Sequence, residues 1–312
     1  MKPDSSPSPF SFVVSRCDRL GDLVLSLPVL GLLADAGIKD RVLHCGSYTA
    51  DVGRWALHNG LCTRLWIDGE SPPSGLESSV GLSLFHSAVT TQAFRRAGLK
   101  VTMGPRSRLS SLWSYKKSVP QHRSRVLMSE MRYNWELGAT ALRWLGVKVP
   151  AFRGLPALQL LPGWRSPVES PDLVVAVSNN GSAANWPLEN YMKLAQEALR
   201  NGKSVDFLVS GLDAAERAEK IRQSGLIDPH ATHLVVEGKA RLIPTFASVS
   251  NLITYLARSR RVLASSTGTL HLAHAAGVSV LGVYPESPIQ ETFARWRPDG
   301  YWHNSPVRYI TF

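Results

Sequence analysis

Asp22 directly follows Gly21 in the stretch SRCDRLGDLVLSLPVLGLL, Ser15 to Leu33, with Arg16 and Arg19 on the same loop. A carboxylate beside a glycine-opened turn can take the proton of a hydroxyl as that hydroxyl attacks a carbon. Aspartate is a weak base, but the proton needs to move only in the transition state. Read from the sequence alone, Asp22 is as readily an N-cap for the helix that starts at Leu23. Gly21 suits either a positive φ or the close approach of a ligand. A second stretch, SSTGTLHLAHAAG from Ser265 to Gly277, sets small hydroxyl residues and a glycine before an apolar helix. A helix start offers unpaired N–H groups and a favourable field to an anion, which would make Ser266, Thr267, Gly268 and Thr269 a phosphate cradle. An ordinary Ser/Thr cap has the same composition. His271 and His274 stand three apart, yet no nearby Cys or carboxylate completes a metal set, so no metal is expected.

The charge is large and uneven. The chain of 312 residues carries a net +11, and between Arg95 and Arg132 there are ten Lys or Arg residues against one acid, Glu130. Such a field attracts polyanions: nucleic acid, anionic lipid or a phosphorylated glycan. A solubilising basic surface has the same look. Trp113 and Tyr115 lie in this stretch, but nothing else resembles a nucleic-acid module, so no nucleic-acid partner is expected. The three cysteines, Cys17, Cys45 and Cys62, form neither a C-x-x-C pair nor a disulfide framework, which points to a reducing compartment. The first ten residues lack a signal core, and no segment reaches the ~20 apolar residues of a bilayer span. A soluble protein, at most resting on a surface, is the expectation.

Strand and helix signals alternate along the whole chain, as in an α/β protein. Phe10–Val14 reads as a strand, Ser15–Gly21 as a turn, and Asp22–Ala34 as one apolar helix. RVLHC, LCTRLWI and GLSLF read as strands, with a helix over Ala50–Asn59. Lys100–Met103 is expected to be a strand leading into a basic loop, and a long helix should end at Gly146. Residues 150–171 hold five prolines and are the best linker. Beyond it, DLVVAVSN, VDFLVSG, HLVVEG, VLASS and VSVLGVY read as strands. Helices are expected at Pro187–Arg200, in DAAERAEKIRQSG, at Ser250–Ala257 and at His271–Ala276. VSVLGVY is expected to close the regular part. Two α/β domains, 1–160 and 161–312, follow from this rhythm, with a cleft where ligands bind at strand ends.

Several blocks in this order resemble the bacterial heptosyltransferases of lipopolysaccharide synthesis, glycosyltransferase family 9. They are Ser15–Leu33, SNNGSAANWPLENYMKLAQEAL, LVSGLDAAERAEKI, and VLASSTGTLHLAHAAGVSVLGVYPESPIQETFARWRPDG. The resemblance implies a GT-B fold of two Rossmann-like domains facing across a cleft, the first binding acceptor and the second the nucleotide sugar. It implies an inverting transfer of heptose from ADP-heptose, without an obligatory cofactor, to a lipid-anchored phosphorylated core oligosaccharide. The enzyme would work in the cytoplasm, peripheral to the inner membrane. Asp22 falls where the family has its catalytic aspartate. Ser266, Thr267, Gly268, Thr269 and His271 fall where its loop cradles the donor diphosphate, a leaving group that gains charge as the bond breaks. Trp186 and Glu291 are further donor candidates, although Trp186 also reads as a packing residue and Glu291 as a solvent-facing acid.

Arg16, Arg19 and Gly21, with Lys116, Lys117, Arg123 and Arg125, are the acceptor candidates, and Trp113 would touch the membrane interface. Two departures from the family stand out. Ser266 occupies the place of the usual Asp before Thr-Gly, and Asn179–Asn185 holds no Lys or Arg ahead of Trp186. Phosphate charge would then be met by helix termini, by Lys239 or Arg241, or by Arg295 and Arg297. These departures leave open another nucleotide sugar on the same fold, and the basic stretch leaves open a non-catalytic nucleic-acid binder. The crossing helix that commonly ends such transferases has no counterpart in the sequence.

Overall fold

The computed structural model describes residues 8–106, 109–155, 157–177, 186–211, 213–227, 240–286, 292–298 and 307–311. They form two α/β units. The first runs to Gln159 and also takes in the stretch beginning at Pro298; the second begins at Leu160.

In the first unit the chain passes through β1 (Ser8–Arg16), α1 (Leu20–Val24), α2 (Leu27–Asp35), β2 (Ile38–Cys45), α3 (Ala50–His58), β3 (Arg64–Ile67) and β4 (Val80–Ser83). It continues through α4 (Ala88–Arg96), β5 (Val101–Pro105), α5 (Leu109–Ser114), β6 (Lys117–Val119) and α6 (Glu130–Trp144). The strands make one parallel sheet in the order β3-β2-β1-β4-β5-β6. β1 is central, and Phe12, Val13 and Val14 are fully buried, as expected of a parallel strand covered on both faces. The order reverses between β1 and β4. This is the switch point at whose carboxyl end such sheets leave a crevice.

The second unit repeats the plan with β7 (Leu173–Ala176), α7 (Leu188–Arg200), β8 (Val205–Leu208), α8 (Ala214–Gln223), β9 (Ala240–Ile243) and α9 (Val249–Arg258). β10 (Arg261–Ser265), α10 (Gly268–Ala275), β11 (Ser279–Tyr284), α11 (Thr292–Trp296) and β12 (Val307–Thr311) follow. The parallel order is β12-β11-β10-β7-β8-β9, with the switch point between β7 and β10. Val175, Tyr191, Phe207 and Leu263 form the centre of its core. Two sheets of this kind, each flanked by helices, give the GT-B class of α/β fold.

Three sequence expectations are corrected or extended, and a fourth is untested. The apolar helix over Asp22–Ala34 is two helices, because Pro28 has no N–H to give Val24. The Ser26 N–H turns to Leu23 O instead, and the Ser26 hydroxyl takes Asp22 O at 2.7 Å. The basic loop after Met103 contains α5 and the edge strand β6. β11 does not close the regular part, since α11 and β12 come after it. HLVVEG lies outside the described residues, and β9 follows it. The long helix α6 does end as expected, with Gly146 left-handed at φ 73°.

Candidate functional site

At the β1–β4 switch point the chain leaves β1 through Arg16, Cys17 and Asp18 and enters α1. Arg16 is 2% exposed, and each nitrogen of its guanidinium faces a carboxylate. Nε donates to Asp18 Oδ1 at 2.6 Å, Nη2 to Asp22 Oδ1 at 2.8 Å, and Nη1 to Glu130 Oε1 at 3.4 Å. Phe85 lies under it, the guanidinium carbon 5.4 Å from the ring centroid. Burial alone would lower the Arg16 pKa, but Asp22, Asp18 and Glu130 raise it, so the side chain stays charged. Asp22 sits in the first turn of α1 and is nearly buried. Burial pushes its carboxyl up to about 6; Arg16 and Arg19 oppose that rise, while Asp18 and Glu130 add to it. Asp22 does not cap the helix: Arg19 occupies the cap position, and no side-chain cap bond forms there.

Asn134, one turn along α6 from Glu130, ties the parts together. Its Oδ1 accepts from Arg16 and its Nδ2 reaches Leu25 O and Ser26 Oγ, so the interruption between α1 and α2 is held from the far side. Arg123 also enters, pairing with Glu130 and donating to Leu84 O and Asn134 Oδ1, both at 3.1 Å. Of the acceptor candidates, then, Arg16, Arg123 and the Gly21–Asp22 pair come together. Arg16, an acceptor candidate, is buried, and its guanidinium is held by the protein's own carboxylates. Arg19, Lys116 and Arg125 are exposed, while Lys117 lies over the Trp144 ring at 5.1 Å. Trp113 on α5 is 88% exposed.

Glu130, Asn134 and Asp18 are not among the site residues that the sequence singles out. One signal was there. Glu130 is the lone acid of the basic stretch, and Asn134 stands four residues on, which places the two on one helix face.

Beside the same strand lies a buried polar group of other character. His44 Nδ1 is 2.9 Å from Ser15 Oγ, its Nε2 is 3.5 Å from Asp68, and Trp66 stacks on it. Burial pushes His44 down to about 4 and the neighbouring Cys17 thiol up to about 12, so near neutral pH neither is charged.

At the other switch point β10 runs into α10 through Ser266 and Thr267. Thr267 is the N-cap by backbone conformation, but its hydroxyl caps nothing and has no partner among the described residues. The N–H groups of Gly268, Thr269 and Leu270 begin the helix and so have no intrahelical carbonyl. His271 is buried, its pKa pushed down to about 4 by burial, and its Nδ1 also has no partner among the described residues. Neutral donors and acceptors thus gather at one helix start, which suits an anion without placing a counter-charge beside it.

Trp186 stands apart from them, edge-on to Tyr191 at 5.3 Å and packed on the core of the second unit. Arg241 is bound to buried Asp206 at 2.6 Å, and Tyr255 donates to the same carboxylate. It is therefore not the phosphate ligand considered for it. Glu291, Lys239 and Asn179–Asn185 lie outside the described residues. Arg295 and Arg297 lie over the rings of Trp296 and Phe293.

Residues 84–299 match the family model of glycosyltransferase family 9 (heptosyltransferase). The chain belongs to this family. This family-9 chain is a glycosyltransferase. It is 23% identical over 322 residues to a provisionally named glycosyltransferase of Haemophilus influenzae, covering 92% of this chain and 85% of that one. Its fold is similar to that of a family-9 glycosyltransferase of Veillonella parvula, with a TM-score of 0.72 at 15% identity over 98% of this chain and 86% of the other. The ADP-heptose lps heptosyltransferase II of E. coli is also similar, with a TM-score of 0.69 at 16% identity over 96% and 90%. Among the described residues no group of His, Cys, Asp and Glu is arranged to hold a metal. Nor is any described helix long and apolar enough to cross a membrane.

Proposed function

We propose that this family-9 transferase moves heptose from ADP-heptose to the inner core of lipopolysaccharide, with Asp22 as general base. The observation that carries the reading is the Asp22 carboxylate. It is nearly buried, gripped by Arg16 at 2.8 Å, and raised to about 6, closer to neutrality than an ordinary aspartate. A base with that affinity can draw the proton from an acceptor hydroxyl while remaining ionised at pH 7. The attacking oxygen would displace ADP and invert the anomeric carbon.

The first unit is then the acceptor side and the second the donor side. In the second, the first-turn N–H groups of α10 and the Thr267 hydroxyl would receive the diphosphate as it gains charge. The donor named for the E. coli heptosyltransferase II supports ADP-heptose here. Exposed Arg19, and exposed Lys116 and Arg125 in the segment that follows Trp113, suit the anions and lipid surface of a membrane-anchored acceptor. This supports a cytoplasmic enzyme peripheral to the inner membrane.

Calorimetry with ADP-heptose, against ADP, UDP and GDP, followed by a transfer assay on wild type and Asp22→Asn, tests the reading. Selective ADP-heptose binding by both proteins, with transfer lost only in Asp22→Asn, is the expected result. Preference for UDP- or GDP-linked sugar would move the enzyme to another donor, with Ser266 as the first residue to examine. Transfer undiminished in Asp22→Asn would remove the general base.

A further inference from the structure

Arg123 contacts the same three acceptor atoms as Arg16. Nη2 of Arg123 donates to Leu84 O and Asn134 Oδ1, and its Nη1 pairs with Glu130 Oε1. Nη1 of Arg16 meets those atoms at 3.3, 3.4 and 3.4 Å. Two guanidiniums therefore divide one set of acceptors, and the contacts of Arg16 are the longer ones. What Arg123 takes from Glu130 and Asn134, Arg16 has less of, and Arg16 is left to Asp18 and Asp22.

The turn that delivers Arg123 is built for it. The 3₁₀ turn Arg123–Arg125 lies between His122 at φ 47° and Val126 at φ 46°, both left-handed. A β-branched residue is strained in that conformation, and the surrounding structure must offset the strain. The Arg123–Glu130 pair, with the guanidinium also 5.7 Å from the Tyr133 ring centroid, is the visible compensation. The side chain is 15% exposed against 2% for Arg16, so Arg123 is the outer of the two.

Resting on the reading of Asp22 as base, we propose that Glu130 and Arg123 are a positioning pair. It governs how firmly Arg16 holds Asp22, and so couples the basic segment 116–125 to the general base. The charged groups facing Asp22 are Arg16 and Asp18 on the β1 loop, Arg19 ahead of α1, and Glu130 on α6. The signs of the two halves differ. Removing the negative Glu130 eases ionisation of Asp22. Removing the positive Arg123 hinders it by leaving Glu130 to draw Arg16 away.

The test is the pH dependence of kcat/KM for heptose transfer by the full chain. Glu130→Gln is expected to move the acid limb down by about 0.5–1 pH unit, and Arg123→Met to move it up by a similar amount. Arg123→Lys, which keeps the charge, should return the limb close to wild type. Limbs that stay in place, or move the same way in both variants, overturn the pair whatever happens to kcat. If Glu130→Gln does not fold, the Arg123→Met and Arg123→Lys limbs decide alone. Asp22→Asn separates the two readings. Activity retained there removes the base and the pair together. Activity lost there, with limbs unmoved in the other variants, overturns the pair only.

Discussion

The two switch points occupy the same place in the same kind of sheet and are built from opposite materials. At the first, two arginines and three carboxylates, Asp18, Asp22 and Glu130, are packed together. At the second, the groups at the start of α10 are hydroxyls, backbone N–H groups and a histidine kept neutral by burial. The difference is the one the proposed roles would require. A base has to exist as a carboxylate in a nearly dry place, and only fixed counter-ions make that affordable. A diphosphate brings its own charge and needs pre-aligned donors, so a further buried charge is unnecessary.

Breaking the charged side should therefore be costly and breaking the neutral side mild. Asp22→Asn is expected to lower kcat by about 10²–10⁴-fold with the fold intact by circular dichroism. A loss below tenfold would mean that Asp22 is not the base. Glu130→Ala leaves two guanidiniums without their shared carboxylate and should lower unfolding stability by about 3–5 kcal/mol in urea titration. A cost near zero would show the network to be ornamental.

In the wild type, kcat/KM should rise with pH through about 6. Asp22 is protonated and idle below that value and ionised above it, and the limb should be absent from whatever activity Asp22→Asn retains. Thr267→Val removes one hydroxyl from the neutral side and should weaken ADP-heptose binding by about tenfold, at under about 1 kcal/mol of stability. Smallest of all is the salt effect. Raising salt from about 0.05 to 0.2 M should increase the acceptor KM severalfold, through exposed Arg19, Lys116 and Arg125, while donor affinity changes by less than about twofold.

Much of the fold was legible, because parallel strands are continuous apolar runs and helices end at glycine. β1 and α6 stand where those signals put them, while α10 starts at Gly268, three residues ahead of the expected His271. The short edge strands β6 and β12 were not legible. KSV and VRYIT carry charges and lack the buried-strand pattern, and they are strands because a neighbouring edge offers them hydrogen bonds. The break at Ser26 was missed although Pro28 was in view, since apolar periodicity continued across it. Within the site, the sequence shows the residue types flanking Asp22 but not their direction. An arginine on a loop reads as a surface cation. Asp18 and Asp22, joined by Glu130 from α6 more than a hundred residues later, turn Arg16 inward.

β12 has a consequence for handling the protein. It is the outermost strand of the second sheet, laid along β11 from Val280 to Tyr284. A chain cut ahead of Val307 would leave a flat apolar strand with its N–H and C=O groups open to any neighbour, which is how sheets recruit one another into aggregates. Removing residues 307–311 is therefore expected to make the protein aggregate more readily while every residue discussed for catalysis stays in place.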